Sequence, residues 1–241
     1  MRAFEGRTAL ITGGGTGIGA ALALALAEAG ASTHLIGRRL SRLESVAGKA
    51  RAFGSQSACY SADLSSNSGQ FEVTQRLKLE RIHVDILIQN AAMHVRSSIE
   101  DGDPFDFDKQ YQINVRAPYV LTQALLPMLK ARQGQIVFIN SSSGIAAKAM
   151  SAQYDSTKHA LKALADSLRA EVNVHGVRVL SVYLGRSASE MQERICQIEG
   201  KPYRPELLLQ PGDIASVILN ALSLPRSAEV TDIWVRPMAR S

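Results

Sequence analysis

Five glycines fall within seven positions in Gly13-Gly14-Gly15-Thr16-Gly17-Ile18-Gly19, directly after the apolar run Thr8–Thr12 and directly before an alanine- and leucine-rich stretch. Glycine accepts positive φ and lets backbone N–H groups approach a ligand without a Cβ in the way. A helix starting there adds unpaired N–H groups and partial positive charge, which together favour an anion. A tight strand-to-helix turn without a ligand is the plainer alternative, but it does not call for five glycines. A chain built this way is expected to bind a phosphate at the end of its first strand.

The rest of the chain alternates between two periodicities. Short β-rich runs occur at Thr8–Thr12, Ser32–Ile36, Gln56–Ser61, Asp85–Gln89, Gln135–Asn140, Arg178–Leu184 and Val230–Val235. Several, such as Ile86-Leu87-Ile88, are apolar throughout, as suits strands buried on both faces of a parallel sheet. Helical patterns lie between them at about 18–29, 40–53, 68–80, 107–130, 152–175 and 211–222. This alternation predicts right-handed βαβ units in a doubly wound α/β sheet. No Pro- or Ser-rich linker and no internal repeat divides the 241 residues, so residues 1–241 are expected to form one domain. The widest stretch without an element, 186–210, is expected to be a functional loop.

Composition removes several alternatives. With 46% apolar and 20% charged residues the chain suits a globular protein, not a disordered one. Cys59 and Cys196 make no disulfide framework or CxxC site, and the histidines never fall at HExxH spacing, so no metal is expected. The start MRAFEGRTAL lacks the apolar core of a secretory signal, and no run is long enough to span a bilayer. The cytoplasm is the expected location. Lys and Arg exceed Asp and Glu by five, but they are scattered, and no nucleic-acid recognition module is visible.

Tyr154 and Lys158 stand at i and i+4 of a predicted helix, on one face. A free phenol has a pKa of about 10, so only about one in a thousand is ionised at pH 7. A nearby lysine cation favours the phenolate and brings it closer to the working range of an acid/base catalyst. The preceding strand ends in Ser141-Ser142-Ser143, any of which could polarise a carbonyl.

The glycine spacing is Gly13-x-x-x-Gly17-x-Gly19, preceded by Thr12. With the Tyr-x-x-x-Lys pair, it resembles the short-chain dehydrogenase/reductase family, and further matches run along almost the whole chain. The resemblance implies a Rossmann-type sheet of seven mostly parallel strands in the order 3-2-1-4-5-6-7. It implies an NAD(P) cofactor held at Gly13, Gly15, Thr16, Gly17, Ile18 and Gly19. NAD-preferring relatives carry Asp where this chain has Gly37; here Arg38 and Arg39 follow, and guanidinium groups suit a 2′-phosphate, so NADP(H) is expected over NAD(H). Asp63-Leu64 resembles the pair beside the adenine. Asn90-Ala91-Ala92 resembles the family's NAG motif, with Ala92 replacing its glycine.

The family's serine lies thirteen residues before its tyrosine and three before a glycine, which selects Ser141. Ser143 is then expected near substrate or nicotinamide. Lys158 would bind the nicotinamide ribose. Asn114 resembles the helix asparagine that links the lysine to solvent through a water; a core amide bound to nearby backbone is the alternative. After the sixth strand, Leu184-Gly185 and Ser189 stand where the family has Pro-Gly and Thr. Arg186 could pair with a substrate carboxylate, although a solvated arginine is the plainer reading. The tail Val230–Pro237 is slightly similar to NADP-dependent 3-hydroxy acid dehydrogenases. A carbonyl reductase or alcohol dehydrogenase acting on a small molecule, dimeric or tetrameric through its long helices, is the expectation. A nucleotide-binding regulator without turnover is the second one.

Overall fold

The computed structural model describes residues 2–238. Strands β1 (Thr8–Thr12), β2 (Ser32–Gly37), β3 (Ser57–Ser61), β4 (Ile86–Gln89), β5 (Gln135–Ser141), β6 (Arg178–Leu184) and β7 (Asp232–Val235) form one sheet. Every pairing is parallel and the order is β3-β2-β1-β4-β5-β6-β7. The expectation of mostly parallel strands thus becomes a fully parallel sheet, with helices on both faces.

Alternation along each strand explains the two layers, because successive side chains point to opposite faces. Ala9 and Ile11, Ile86 and Ile88, and Val137 and Ile139 join one core with α1 (Gly17–Glu28), α2 (Leu40–Arg51) and, downstream of β6, α8 (Pro211–Leu222). Leu10, Leu87, Ile136 and Phe138 join the other core. There they meet α3 (Asn67–Leu79), α5 (Ala117–Ala131) and α6 (Ala152–Val172). Burying each large aliphatic chain contributes about 1.5–3 kcal/mol, so a one-residue register slip would be prohibitive.

Two expected elements differ. The helix expected at 107–130 begins earlier, as α4 (Pro104–Tyr111), because the Asp103 carboxylate accepts from Phe105 N and Pro104 occupies the first turn. A π-helical turn at Gln112–Arg116 then separates α4 from α5. The stretch 186–210 contains α7 (Glu190–Ile198), whose start is capped by Ser189 Oγ accepting from Gln192 N. With only nine residues, α7 is too short to stand out in sequence, although its residues are amphipathic.

The chain reverses direction across the sheet between β1 and β4, so the loops leaving their carboxyl ends diverge and open a crevice.

Candidate active site

That crevice is a cleft of about 420 Å³ along the carboxyl ends of the strands. Its floor begins at the glycine turn, where Gly13 has φ of 66° and Gly17 of 54°. A Cβ on Gly13 would stand 2.8 Å from Asn90 Nδ2. Thr12 Oγ1 accepts from Asn90 N and Ala91 N, and Asn90 Nδ2 donates to Thr12 O, so the ends of β1 and β4 are stitched together. Gly15, Thr16, Gly17 and Ile18 line the cleft. The first turn of α1 has no side-chain cap and no acidic residue, which leaves its N–H groups available for an anion.

Gly19 does not line the cleft. A Cβ there would lie 2.2 Å from Gly13 O and 2.6 Å from Asn90 Nδ2, so this glycine serves the close packing of α1 on the turn. Gly19→Ala is therefore expected to destabilise the protein by about 1–3 kcal/mol or more through overpacking. Urea unfolding reads this directly; an unchanged midpoint would refute the packing role.

At the far end the cleft is lined by Gly37, Arg38, Arg39, Arg42, Ala62 and Leu64. The Arg38 side chain makes no hydrogen bond or ion pair among the described residues, whereas Arg39 and Arg42 face Glu190 at 3.1 and 3.8 Å. Asp63 stays outside the cleft lining, its Oδ1 accepting from Ser65 N and Ser65 Oγ. Sequence reasoning missed Arg42, although its place in the first turn of the predicted helix, just past Arg38 and Arg39, was the available signal.

The opposite end gathers Ser141, Ser143, Tyr154 and Lys158 with Ala91, Ala92, Leu184, Gly185 and Ser189. Asn140 braces β5 against α6: its Oδ1 accepts from Ser141 N and its Nδ2 donates to Lys158 O. Lys158 Nζ donates to Ile139 O at 3.1 Å and sits 5.6 Å from the Tyr154 ring centroid. Burial pulls the Lys158 pKa down to about 8. Burial likewise pushes the Tyr154 phenol up to about 12, opposed by a hydrogen bond with Ser141 and reinforced by the Asp155 charge. The expected lowering by Lys158 is thus not among the causes of the shift, which desolvation dominates.

Two neighbours went unnoticed in the sequence. The His94 ring stacks on Tyr154 with centroids 3.9 Å apart, and its Nε2 pairs with Ser151 Oγ at 2.9 Å. Burial pulls the His94 pKa down to about 4, so the ring is neutral at pH 7. Glu199, just past α7, is the second; it accepts from Arg186 Nη2 at 2.7 and 2.9 Å. Arg186 is therefore paired, with about a third of its side chain still exposed.

Asn114, within the π turn, is buried and lies outside the cleft lining. Its amide accepts from Met93 N and donates to Met93 O and Thr157 Oγ1, tying the β4 loop to α6. Ser189 lines the cleft while capping α7, and Gly185 packs under the tail, where a Cβ would stand 2.9 Å from Pro237 Cδ. Among the described residues no cluster of three His, Cys, Asp or Glu side chains could hold a metal, and no helix is long and apolar enough to cross a membrane.

A parallel sheet, a glycine turn at its switch point and a Tyr–Lys pair in the same crevice define a dinucleotide-dependent class. The chain belongs to the short-chain dehydrogenase/reductase family, residues 7–199 matching the family described as short chain dehydrogenase. It is an oxidoreductase of that family. It is 29% identical over 239 residues to an uncharacterized oxidoreductase of Staphylococcus epidermidis, covering 99% of this chain and 100% of that one. It is 32% identical over 221 residues to a fatty acyl-CoA reductase of Acinetobacter baylyi, covering 90% of this chain and 73% of that one. Among solved structures, it is similar to a metagenomic short-chain oxidoreductase in complex with NADP (TM-score 0.84, 27% identity, 98% of this chain and 100% of that one). An alcohol dehydrogenase from Thermococcus sibiricus complexed with 5-hydroxy-NADP superposes with a TM-score of 0.87, at 26% identity and 98% coverage of both chains.

Proposed function

We propose that this protein is an NADP(H)-dependent carbonyl reductase or alcohol dehydrogenase, converting a small carbonyl compound and its alcohol into one another. The observation that carries this reading is the convergence of Ser141, Tyr154 and Lys158 on the cleft that the glycine turn opens. The residues suit the cofactor: an open helix start is free to meet a pyrophosphate, and Arg38, Arg39 and Arg42 suit a 2′-phosphate, with Glu190 on α7 as the one carboxylate against them among the described residues. When bound, NADPH supplies the hydride. Tyr154 donates the proton to the carbonyl oxygen, Ser141 donates a hydrogen bond to that oxygen, and Lys158 holds the nicotinamide ribose. Asn114 positions α6 and the β4 loop around them. Residues 1–241 act as one catalytic domain, with 186–210 as the substrate lid.

The second reading, a nucleotide-binding regulator without turnover, makes no use of Tyr154 or Lys158. A panel of aldehydes and ketones followed by NADPH absorbance, with NADH in parallel, separates the two. Turnover of at least one carbonyl, with kcat/KM at least about tenfold higher for NADPH, is the expected result. Tight NADPH binding without turnover across the panel would favour the regulator. We further propose a cytoplasmic homodimer or homotetramer built on the α5 and α6 faces, which light scattering of the purified protein would test.

A further inference from the structure

At the reaction end of the cleft, positive charge is in excess. Glu199 is 6% exposed in its side chain and meets three cations: Arg186, Arg96 at 3.4 Å and Lys201 at 3.5 Å. Arg186 already donates to both carboxylate oxygens. Arg96 has only the long contact, and its guanidinium donates no hydrogen bond to any described residue. It lines the cleft, 23% exposed in its side chain, two residues from the His94 ring that stacks on Tyr154. Lys148 lines the same cleft, and among the described residues the only carboxylates that do so are Glu199 and, among the arginines at the other end, Glu190. A half-buried guanidinium with most of its five donors unused, in the same cleft as a proton donor, is a receptor for a planar anion.

We propose that the substrate carries a carboxylate, held by Arg96 while Glu199 and Arg186 brace that arginine in place. This rests on the reductase reading above and narrows its substrate to an oxo acid, reduced to the hydroxy acid. Glu199 is the placeholder that fixes the Arg96 fork; it leaves the fork's other donors to the substrate.

The test compares 3-oxobutanoate, 4-oxobutanoate and 4-oxopentanoate with their methyl esters, using NADPH, in wild type and Arg96→Met. The acids are expected to exceed their esters in kcat/KM by about tenfold or more, and Arg96→Met is expected to cut that acid-to-ester ratio by about 10–100-fold. Arg96→Lys restores part of the ratio, which a merely structural arginine would not do. Equal treatment of acid and ester by wild type, or an unchanged ratio in Arg96→Met, overturns the proposal. So does a preference for glyceraldehyde 3-phosphate over every acid, which would make the anion a phosphate. Should no carbonyl be turned over, the reductase reading fails on its own. The carboxylate site is then read by calorimetry of pentanoate binding to the protein with NADP⁺. Binding lost in Arg96→Met supports the site; its absence in wild type overturns it.

Discussion

Tyr154→Phe is expected to lower the rate of NADPH-dependent carbonyl reduction by about 10²–10⁴-fold, the usual contribution of a positioned proton donor. The change removes one oxygen from a side chain packed between His94 and Lys158, so fold and cofactor affinity should persist. The pH profile separates Tyr154 from Lys158. A proton donor acts while protonated, and Tyr154, pushed up to about 12 by burial, stays protonated through neutral pH. Lys158, pulled down to about 8 by burial, loses its charge first as the pH rises. For kcat/KM of NADPH, which reports the free protein, reduction should be flat below neutrality and fall above about pH 8. Lys158→Arg should move that limb upward, because a guanidinium stays charged past pH 12 or so. A limb that stays near its wild-type position in Lys158→Arg assigns it to another group. The reverse, alcohol-oxidising reaction needs the phenolate and should climb with pH up to about 8, where Lys158 begins to lose its charge and the rise levels off.

Legibility in the sequence followed how local each signal was. The strands declared themselves because a doubly covered parallel sheet needs uninterrupted apolar runs such as Ile136-Val137-Phe138-Ile139. Tyr154 and Lys158 were visible because one helical turn fixes their relation. Arg96 and Glu199 are distant in sequence and meet only when α7 folds over the cleft, so no spacing rule connects them. The stacking of His94 on Tyr154 depends on the path of an irregular loop after β4, for which residue pattern is a poor guide. Gly19 was placed among the ligand contacts because the motif treats its glycines alike, whereas steric contact with Gly13 O gives it a different task. The Tyr154 pKa was expected to fall with its lysine neighbour in view; the burial that raises it instead is a property of the assembled fold.

Introducing a carboxylate at the end of β2 should invert the cofactor preference. Gly37 has ordinary backbone geometry, and a Cβ there would meet the buried Leu43 side chain at 3.2 Å, so that leucine must give by a few tenths of an ångström. Gly37→Asp places a negative charge beside Arg38, Arg39 and Arg42, repelling a 2′-phosphate while accepting from a 2′-hydroxyl. Losing a charge-assisted contact and gaining a repulsion should lower the NADPH-to-NADH ratio of kcat/KM by about 10²–10³-fold. Glu190 supplies the internal control, because its carboxylate already lies against Arg39 and Arg42, which makes it a competitor for the same phosphate. Both partners are well exposed, so the pair is weak, and Glu190→Gln should tighten NADPH by only a few-fold while leaving NADH unchanged. Fluorescence titration with the two cofactors measures both variants. Equal changes for NADPH and NADH in Gly37→Asp would place the 2′-phosphate away from the β2 arginines. Equal weakening of both cofactors in Glu190→Gln would make that residue a strap over the dinucleotide instead of a rival to its phosphate.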